Sequence, residues 1–281
     1  MKKQLLLVLP VLLMALTSCD EPGEIADIGD KATKEEVLEV IKNYGDLPET
    51  YSVSQKQEVN LTLSMSVDMA GMATKQESTV SAKIEAEFAY DLKTENDHYF
   101  MMTQRMEQSS PDGDATNLNS SYSKKDGDKY IGVTVEDDKV TEEDITENMI
   151  DQSVVSSAAQ YRLSEYQLEG LTTTYFADKE PEYYINKDNV ITIQGESTMD
   201  LSGIIGGGSS STPGMDFIIE TNIKIQYDQY GMLVFMKMDD GSINFDQTTE
   251  GMSVKMSGSL SMTAAGSSNG NVEHKTVEPL K

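Results

Sequence analysis

The chain has 281 residues, enough for one large β-rich domain or two small ones, and a formal net charge of −26. So acidic a surface repels phosphate backbones and anionic headgroups, which argues against nucleic-acid binding and against a basic membrane-docking patch. A single cysteine, Cys19, excludes an internal disulfide, and Arg105 and Arg162 alone are available for bidentate clamping of carboxylate or phosphate.

Lys2 and Lys3 precede an apolar run, Leu5 to Leu16, that is short for a bilayer span and ends in Leu16-Thr17-Ser18-Cys19. That tetrapeptide resembles the lipobox of bacterial lipoproteins: an aliphatic residue, two small ones, then the cysteine that receives diacylglycerol. The resemblance implies that residues 1–18 are a lipoprotein signal peptide. It also implies that Cys19 is the lipid attachment site, and that the chain is anchored extracytoplasmically in a bacterial cell envelope. Losing Lys2 and Lys3 would take the net charge from −26 to −28. Residues 19–31 are acidic, contain Pro22-Gly23, and read as a flexible tether.

Thr33 and Glu36 form a capping box for a short helix carrying Val37, Val40, Ile41 and Tyr44 on one stripe, stopped by Gly45 before Pro48. From Glu58 to Tyr90 the pattern changes to period two. Val59, Leu61, Leu63, Met65, Val67 and Met69 alternate with polar residues. After Ala70-Gly71-Met72-Ala73 the alternation resumes with Val80, Ala82, Ile84, Ala86, Phe88 and Tyr90. Side chains in a strand alternate faces, so these are two long strands, each with one apolar face, most simply paired as an antiparallel hairpin.

A third strand is expected at Tyr99–Met106, a polar loop at Ser109–Asn117 and a fourth strand near Leu118–Ser123. Asp126-Gly127 signals a hairpin into Ile131, Val133 and Val135. Thr141-Glu-Glu-Asp144 predicts the start of a second helix running through Ile145, Met149, Ile150 and Val154 towards Tyr161. The second half repeats the theme. Ile191, Ile193, Met199 and Leu201 alternate, and a Gly/Ser-rich loop occupies 206–213. Phe217, Ile219, Ile223 and Ile225 follow, with a turn at Asp228–Gly231. Met232, Val234, Met236 and Met238 precede a turn at Asp239-Asp-Gly241, and Met252, Val254, Met256, Leu260 and Met262 close the series. One β-rich domain over 32–263 is expected, with a two-fold repeat (about 50–140 and 180–263) as one way to read its halves. Residues 264–281 lack periodicity and are expected to be a disordered tail.

Motifs for chemistry are sparse. Ser121-Tyr-Ser-Lys124 fits Ser-x-x-Lys but sits at a strand-to-turn junction rather than a helix start. The glycines near 206 lack the Lys-Ser/Thr of a phosphate loop. His98 and His274 lie far apart in sequence, and Asp112-Gly-Asp114 lacks the rest of a calcium loop. Neither a catalytic residue nor a metal or cofactor site is therefore expected. What remains is the apolar strand face, rich in methionine, which suits adaptable contact with apolar partners.

A lipobox, a tether, a short helix, long alternating strands, a mid-chain helix and further strands together resemble the half-barrel lipoproteins. These comprise the lipoprotein-carrier (LolA-like) family and the mycobacterial lipid-carrying lipoproteins. The resemblance implies an α+β fold: a curved antiparallel half-barrel sheet with the N-terminal and mid-chain helices on its concave side. It also implies non-catalytic binding of a lipid, an acyl chain or another hydrophobe. On that reading the ligand face is built from Leu61, Leu63, Met65, Ile84, Phe88, Val234, Met236, Val254 and Met256. The alternative is a structural or adhesive surface lipoprotein with a filled core and no ligand.

Overall fold

The computed structural model describes residues 24–69, 72–93, 97–111, 113–176, 179–200, 218–249 and 252–280. The leader, Cys19 and the 206–213 loop lie outside them. In chain order the elements are β1 (Asp30–Ala32), α1 (Lys34–Lys42), β2 (Thr50–Met69), β3 (Met72–Asp91), β4 (Tyr99–Ser110), β5 (Gly113–Asp126), β6 (Lys129–Glu136) and β7 (Lys139–Ile145). Then come α2 (Glu147–Ala158), α3 (Glu165–Tyr175), β8 (Glu182–Ile185), β9 (Ile191–Asp200), β10 (Ile218–Tyr227), β11 (Leu233–Thr249) and β12 (Met252–Ser268). The described strands form one twelve-stranded sheet in the order β1-β8-β9-β10-β11-β12-β2-β3-β4-β5-β6-β7. The fold is α+β: a curved, half-barrel-like antiparallel sheet with the helices on its concave, inner side. Two meanders, β2–β7 and β8–β12, meet where β12 pairs with β2.

The long hairpin is there and longer than the alternation suggested. Pairing runs unbroken from Thr50↔Asp91 to Met69↔Met72, 20 residues a strand or roughly 66 Å at 3.3 Å per residue. Several boundaries move. The expected loop 109–117 is the tip of the β4–β5 hairpin, where Ser110 pairs with Gly113 and Ser109 Oγ donates to Asp114 Oδ1 at 2.6 Å. Thr141–Asp144 does not start a helix; it lies in β7, paired with β6. The two-residue turn Asp137-Asp138, with Asp137 at φ 54°, returns the chain there, and Thr146 caps α2 instead. Helix α3, with its Ser164–Gln167 capping box, carries too weak an apolar stripe to stand out in sequence, burying only Leu168.

Asp239-Asp-Gly241 does not turn the chain either. Both neighbours of β11 shift register there (Met238↔Met262, then Gly241↔Leu260), so the residues form a bulge inside a continuous strand. Gly241 is required by packing, because a Cβ would meet Ile219 Cγ2 at 2.7 Å. Asp228–Gly231 is a true turn: Asp228 Oδ1 accepts the Tyr230 and Met232 N–H groups, both at 2.9 Å, and Gly231 has φ 77°.

The main core fills the space between the inner face and the helices. Val37 and Ile41 of α1, Ile150, Val154 and Ala158 of α2, and Leu168 of α3 pack on Tyr51, Val53, Phe88, Tyr90, Ile193, Ile225, Met236 and Met262. Tyr161, between α2 and α3, stacks on Phe88 at 4.8 Å and 7°. Its phenol is pushed up to about 12 by burial.

Among the described residues, the tether and tail segments are more ordered than expected. Within the predicted tether, Ile25 exchanges two hydrogen bonds with the Gln226 side chain, both 3.0 Å, and β1 pairs with β8. The segment expected to be a tail first completes β12, then crosses the outer face. There Val272, Val277 and Leu280 pack on Ala89, Tyr99, Met101, Leu118, Tyr122, Val133 and Val135. His274 stacks on Tyr99 at 4.3 Å, and the Lys275 N–H donates to Tyr99 Oη at 2.9 Å. Short of period-two pattern, this segment gave no sign of the apolar patch it covers.

Candidate functional site

Register assigns every strand residue to a face, so the expected site can be checked position by position. Phe88 and Met236 are fully buried beneath the helices, and Ile84 is also buried. Leu61 is half-buried on the same face, one pleat beyond Val59. Val234 drops out of the row. Gln226 pairs with Phe235 and Tyr227 with Leu233, so Val234 is the extra residue of a bulge, and Leu233 takes the core position. Leu63 pairs with Met256 and Met65 with Val254, in phase with Leu61 along β2. The nine residues therefore do not form one wall. Phe88 and Met236 belong to the helix-packed core, whereas Leu61, Leu63, Met65, Val254 and Met256 continue the face beyond it.

Two glutamines on this face were missed. Gln55 and Gln57 are 2% and 1% exposed, in phase with Val53 and Val59. Neither the Oε1 nor the Nε2 atom of Gln57 has a hydrogen-bond partner. One row across the sheet reads Met238, Met262, Gln57, Ile84, Met106, Asn117; the next reads Met236, Ala264, Gln55, Ala86, Gln104, Asn119, Glu136. Apolar on the β11–β12 side, the inner face thus becomes amide-rich towards β5. There Gln104, Met106, Asn117, Asn119, Glu136 and Asp137 line an open recess of about 350 Å³. The signal for Gln57 was available: extending the alternation backwards from Val59 reaches Val53 and Tyr51 only through positions 57 and 55.

On the central strands positive charge is sorted by face, though Lys125 of β5 is in phase with the inner row. On β2, β3, β4, β10, β11 and β12 every lysine and arginine is outward by register, Lys56, Lys83, Arg105, Lys224, Lys237 and Lys255 among them. Several pair with an acid two residues along the same strand: Lys56–Glu58 at 2.7 Å, Lys83–Glu85 at 2.5 Å, Arg105–Glu107 at 3.0 Å. Arg162 is spent on backbone, donating to the carbonyls of Tyr230 and Gly45.

The other sequence candidates are structural. Ser121 and Lys124 fall on opposite faces of β5, and Lys124 pairs with Glu142 at 2.5 Å, so the Ser-x-x-Lys spacing brings no base to the hydroxyl. His98 sits between Glu147 (3.4 Å) and Asp151 (3.1 Å) and ties the first turns of α2 to the start of β4. Among the described residues no group of three or more His, Cys, Asp or Glu side chains is arranged to hold a metal. None of the described helices is long and apolar enough to cross a membrane.

No protein-family description matches this sequence, and no curated protein matches it. Among solved structures the chain is similar to a DUF1329 family protein from Desulfovibrio piger ATCC 29098. That protein is 13% identical over 85% of this chain and 91% of its own, with a TM-score of 0.14. Spatial agreement of that size carries no argument about fold or function.

Proposed function

We propose that the protein is a lipid-anchored, extracytoplasmic lipoprotein of a bacterial envelope, and that its half-barrel holds a lipid or other hydrophobic ligand without catalysis. The observation that carries this reading is the extent of the apolar inner face. On β2 and β12 the buried core includes Val59 and Leu260; Leu61 and Val80, the next apolar pair, are half-buried, and the register continues with Leu63, Met65, Val254 and Met256. Apolar side chains are costly to leave in water, so the half-buried Leu61 and Val80 call for a cover, and a ligand supplies one. The lipobox supports the anchor, with Cys19 as the acylated residue.

A second reading, a structural or adhesive surface lipoprotein, is favoured by the complete burial of Phe88 and Met236 beneath the helices. One preparation separates the two. Native mass spectrometry of the mature protein from its own membranes should find non-covalent lipid in addition to the lipid on Cys19. Protein that carries only the covalent lipid, and takes up no fluorescent acyl probe, supports the structural reading instead. Loss of fatty-acid labelling in Cys19→Ala checks the anchor, and label that persists removes it.

A further inference from the structure

We propose that the outer face of β9 and β10 is the surface turned towards the protein's own membrane, and that a short covalent leash, not charge, holds it there. This rests on the lipid-anchor reading above.

Three observations carry it. First, the chain is fastened to the sheet from its first described residues. Glu24 pairs with Lys224, and Ile25 exchanges two 3.0 Å hydrogen bonds with the side chain of Gln226, which is fully buried. Asn186 Nδ2 then donates to the Asp27 carbonyl at 3.0 Å, and β1 pairs with β8. Lys224 and Gln226 point outward, because Ile223, Ile225 and Tyr227 between and beside them point into the core.

Second, little chain is left to act as a spacer. Only Asp20 to Gly23 stand between Cys19 and Glu24, so the two Cα atoms are at most about 18 Å apart at 3.6 Å per residue. A tether free as far as Lys31 would reach about 43 Å on the same measure. The rest of the sheet lies farther off. Lys224, Lys237, Thr263 and Lys56 share one row. Thr62, paired with Thr79 of β3, is six residues beyond Lys56, roughly 20 Å along β2. Strand β3 is itself four strands from β10, about 19 Å at 4.8 Å per strand.

Third, charge does not compete with the leash. On β1 and β8 to β10 the lysines are Lys31 and Lys224, and both are matched, to Glu182 at 2.6 Å and to Glu24. These strands therefore offer no basic patch to anionic headgroups, and the net charge of −26 adds none. Reach alone sets which face is near the bilayer.

The test places the lipidated full-length protein in phosphatidylcholine vesicles that carry an energy-transfer acceptor on a headgroup. Acylation occupies the sulfur of Cys19, so one added cysteine takes the donor. Asn222→Cys marks the outer face of β10, Thr79→Cys marks β3 and Asp138→Cys the β6–β7 turn, all at exposed positions. Transfer should be highest from Asn222, and adding phosphatidylglycerol should leave that order unchanged. Inserting twenty Gly/Ser residues after Asp20 lengthens the reach from about 18 to about 90 Å and should abolish the excess at Asn222. Lys224→Ala with Gln226→Ala, which unfastens Glu24 and Ile25, should reduce it. If that double variant fails to fold, the insertion decides, since it touches no described residue. Equal transfer from all three positions, or the highest from Thr79 or Asp138, would overturn the orientation while leaving the anchor in place. An excess that survives the insertion, or that arises only with phosphatidylglycerol, would overturn the leash as its cause. Protein that fails to float with the vesicles would remove the anchor reading, and this inference with it.

Discussion

Asp228 holds the turn into β11 with one carboxylate oxygen, and its partial burial raises its pKa above the ordinary carboxylate value. The folded state therefore holds this proton more tightly than the unfolded chain does. The group's contribution to stability is complete at low pH and is lost as pH rises through its folded pKa. Asparagine keeps an oxygen for the two N–H groups and removes the charge. Asp228→Asn is thus expected to be more stable than wild type at pH 7, with the advantage shrinking towards pH 4, as urea unfolding at the two values would read. The turn itself was legible, because Asp four residues before Met232 and Gly at a positive-φ position are local chemistry. Gln57 was legible only by extending the alternation back from Val59 to Val53 and Tyr51, because a polar residue in phase with an apolar row otherwise reads as the end of a strand.

Among the elements, those organised by period two were the readable ones, and what misled was punctuation. Asp-Asp-Gly marks a turn in most contexts, yet within β11 it is a bulge, because the partner strands continue past it on both sides. Gly241→Ala is expected to cost about 1–3 kcal/mol, since the new methyl must displace Ile219. Gly170 is the control. It lies inside α3, where an added Cβ would meet nothing within 4 Å, so Gly170→Ala should stabilise by up to about 1 kcal/mol. Chemical denaturation of both variants reads the contrast, and a neutral Gly241→Ala would mean that the bulge relaxes. The same limit explains the helix expected from Thr141: a capping-box sequence is equally at home on an exposed edge strand, and β7 is that edge. Of the candidate site, the apolar row of β2 was legible, whereas the extent of the helix-packed core depends on where the helices lie.

For the molecule as a whole, the aromatic floor beneath the helices sets the response to alkali. Tyr51, Tyr90, Tyr161, Tyr175 and Tyr227 have their phenol pKa values raised chiefly by burial, those of Tyr161 and Tyr175 to about 12. Stability from such phenols is complete below their unfolded value and is lost as pH rises towards the folded one. Ultraviolet titration should accordingly show a late, steep tyrosinate step between about pH 10 and 12, coincident with loss of the near-ultraviolet circular dichroism. A smooth titration that precedes unfolding would mean that the floor is open to water.

The seam between β12 and β2 also dictates an order of assembly. Strands β2 to β7 can pair with their neighbours as they emerge, but β2 finds its second partner only in residues 252–268, near the end of the chain. Loop closure over that distance is slow relative to hairpin formation. Until it happens, the 20-residue β2 presents a bare edge, the kind that recruits strands from other chains. Synthesis from the N-terminus exposes that edge for nearly the whole time of making the protein. Ribosome-bound chains that stop short of residue 252 should therefore be the most aggregation-prone form of this molecule.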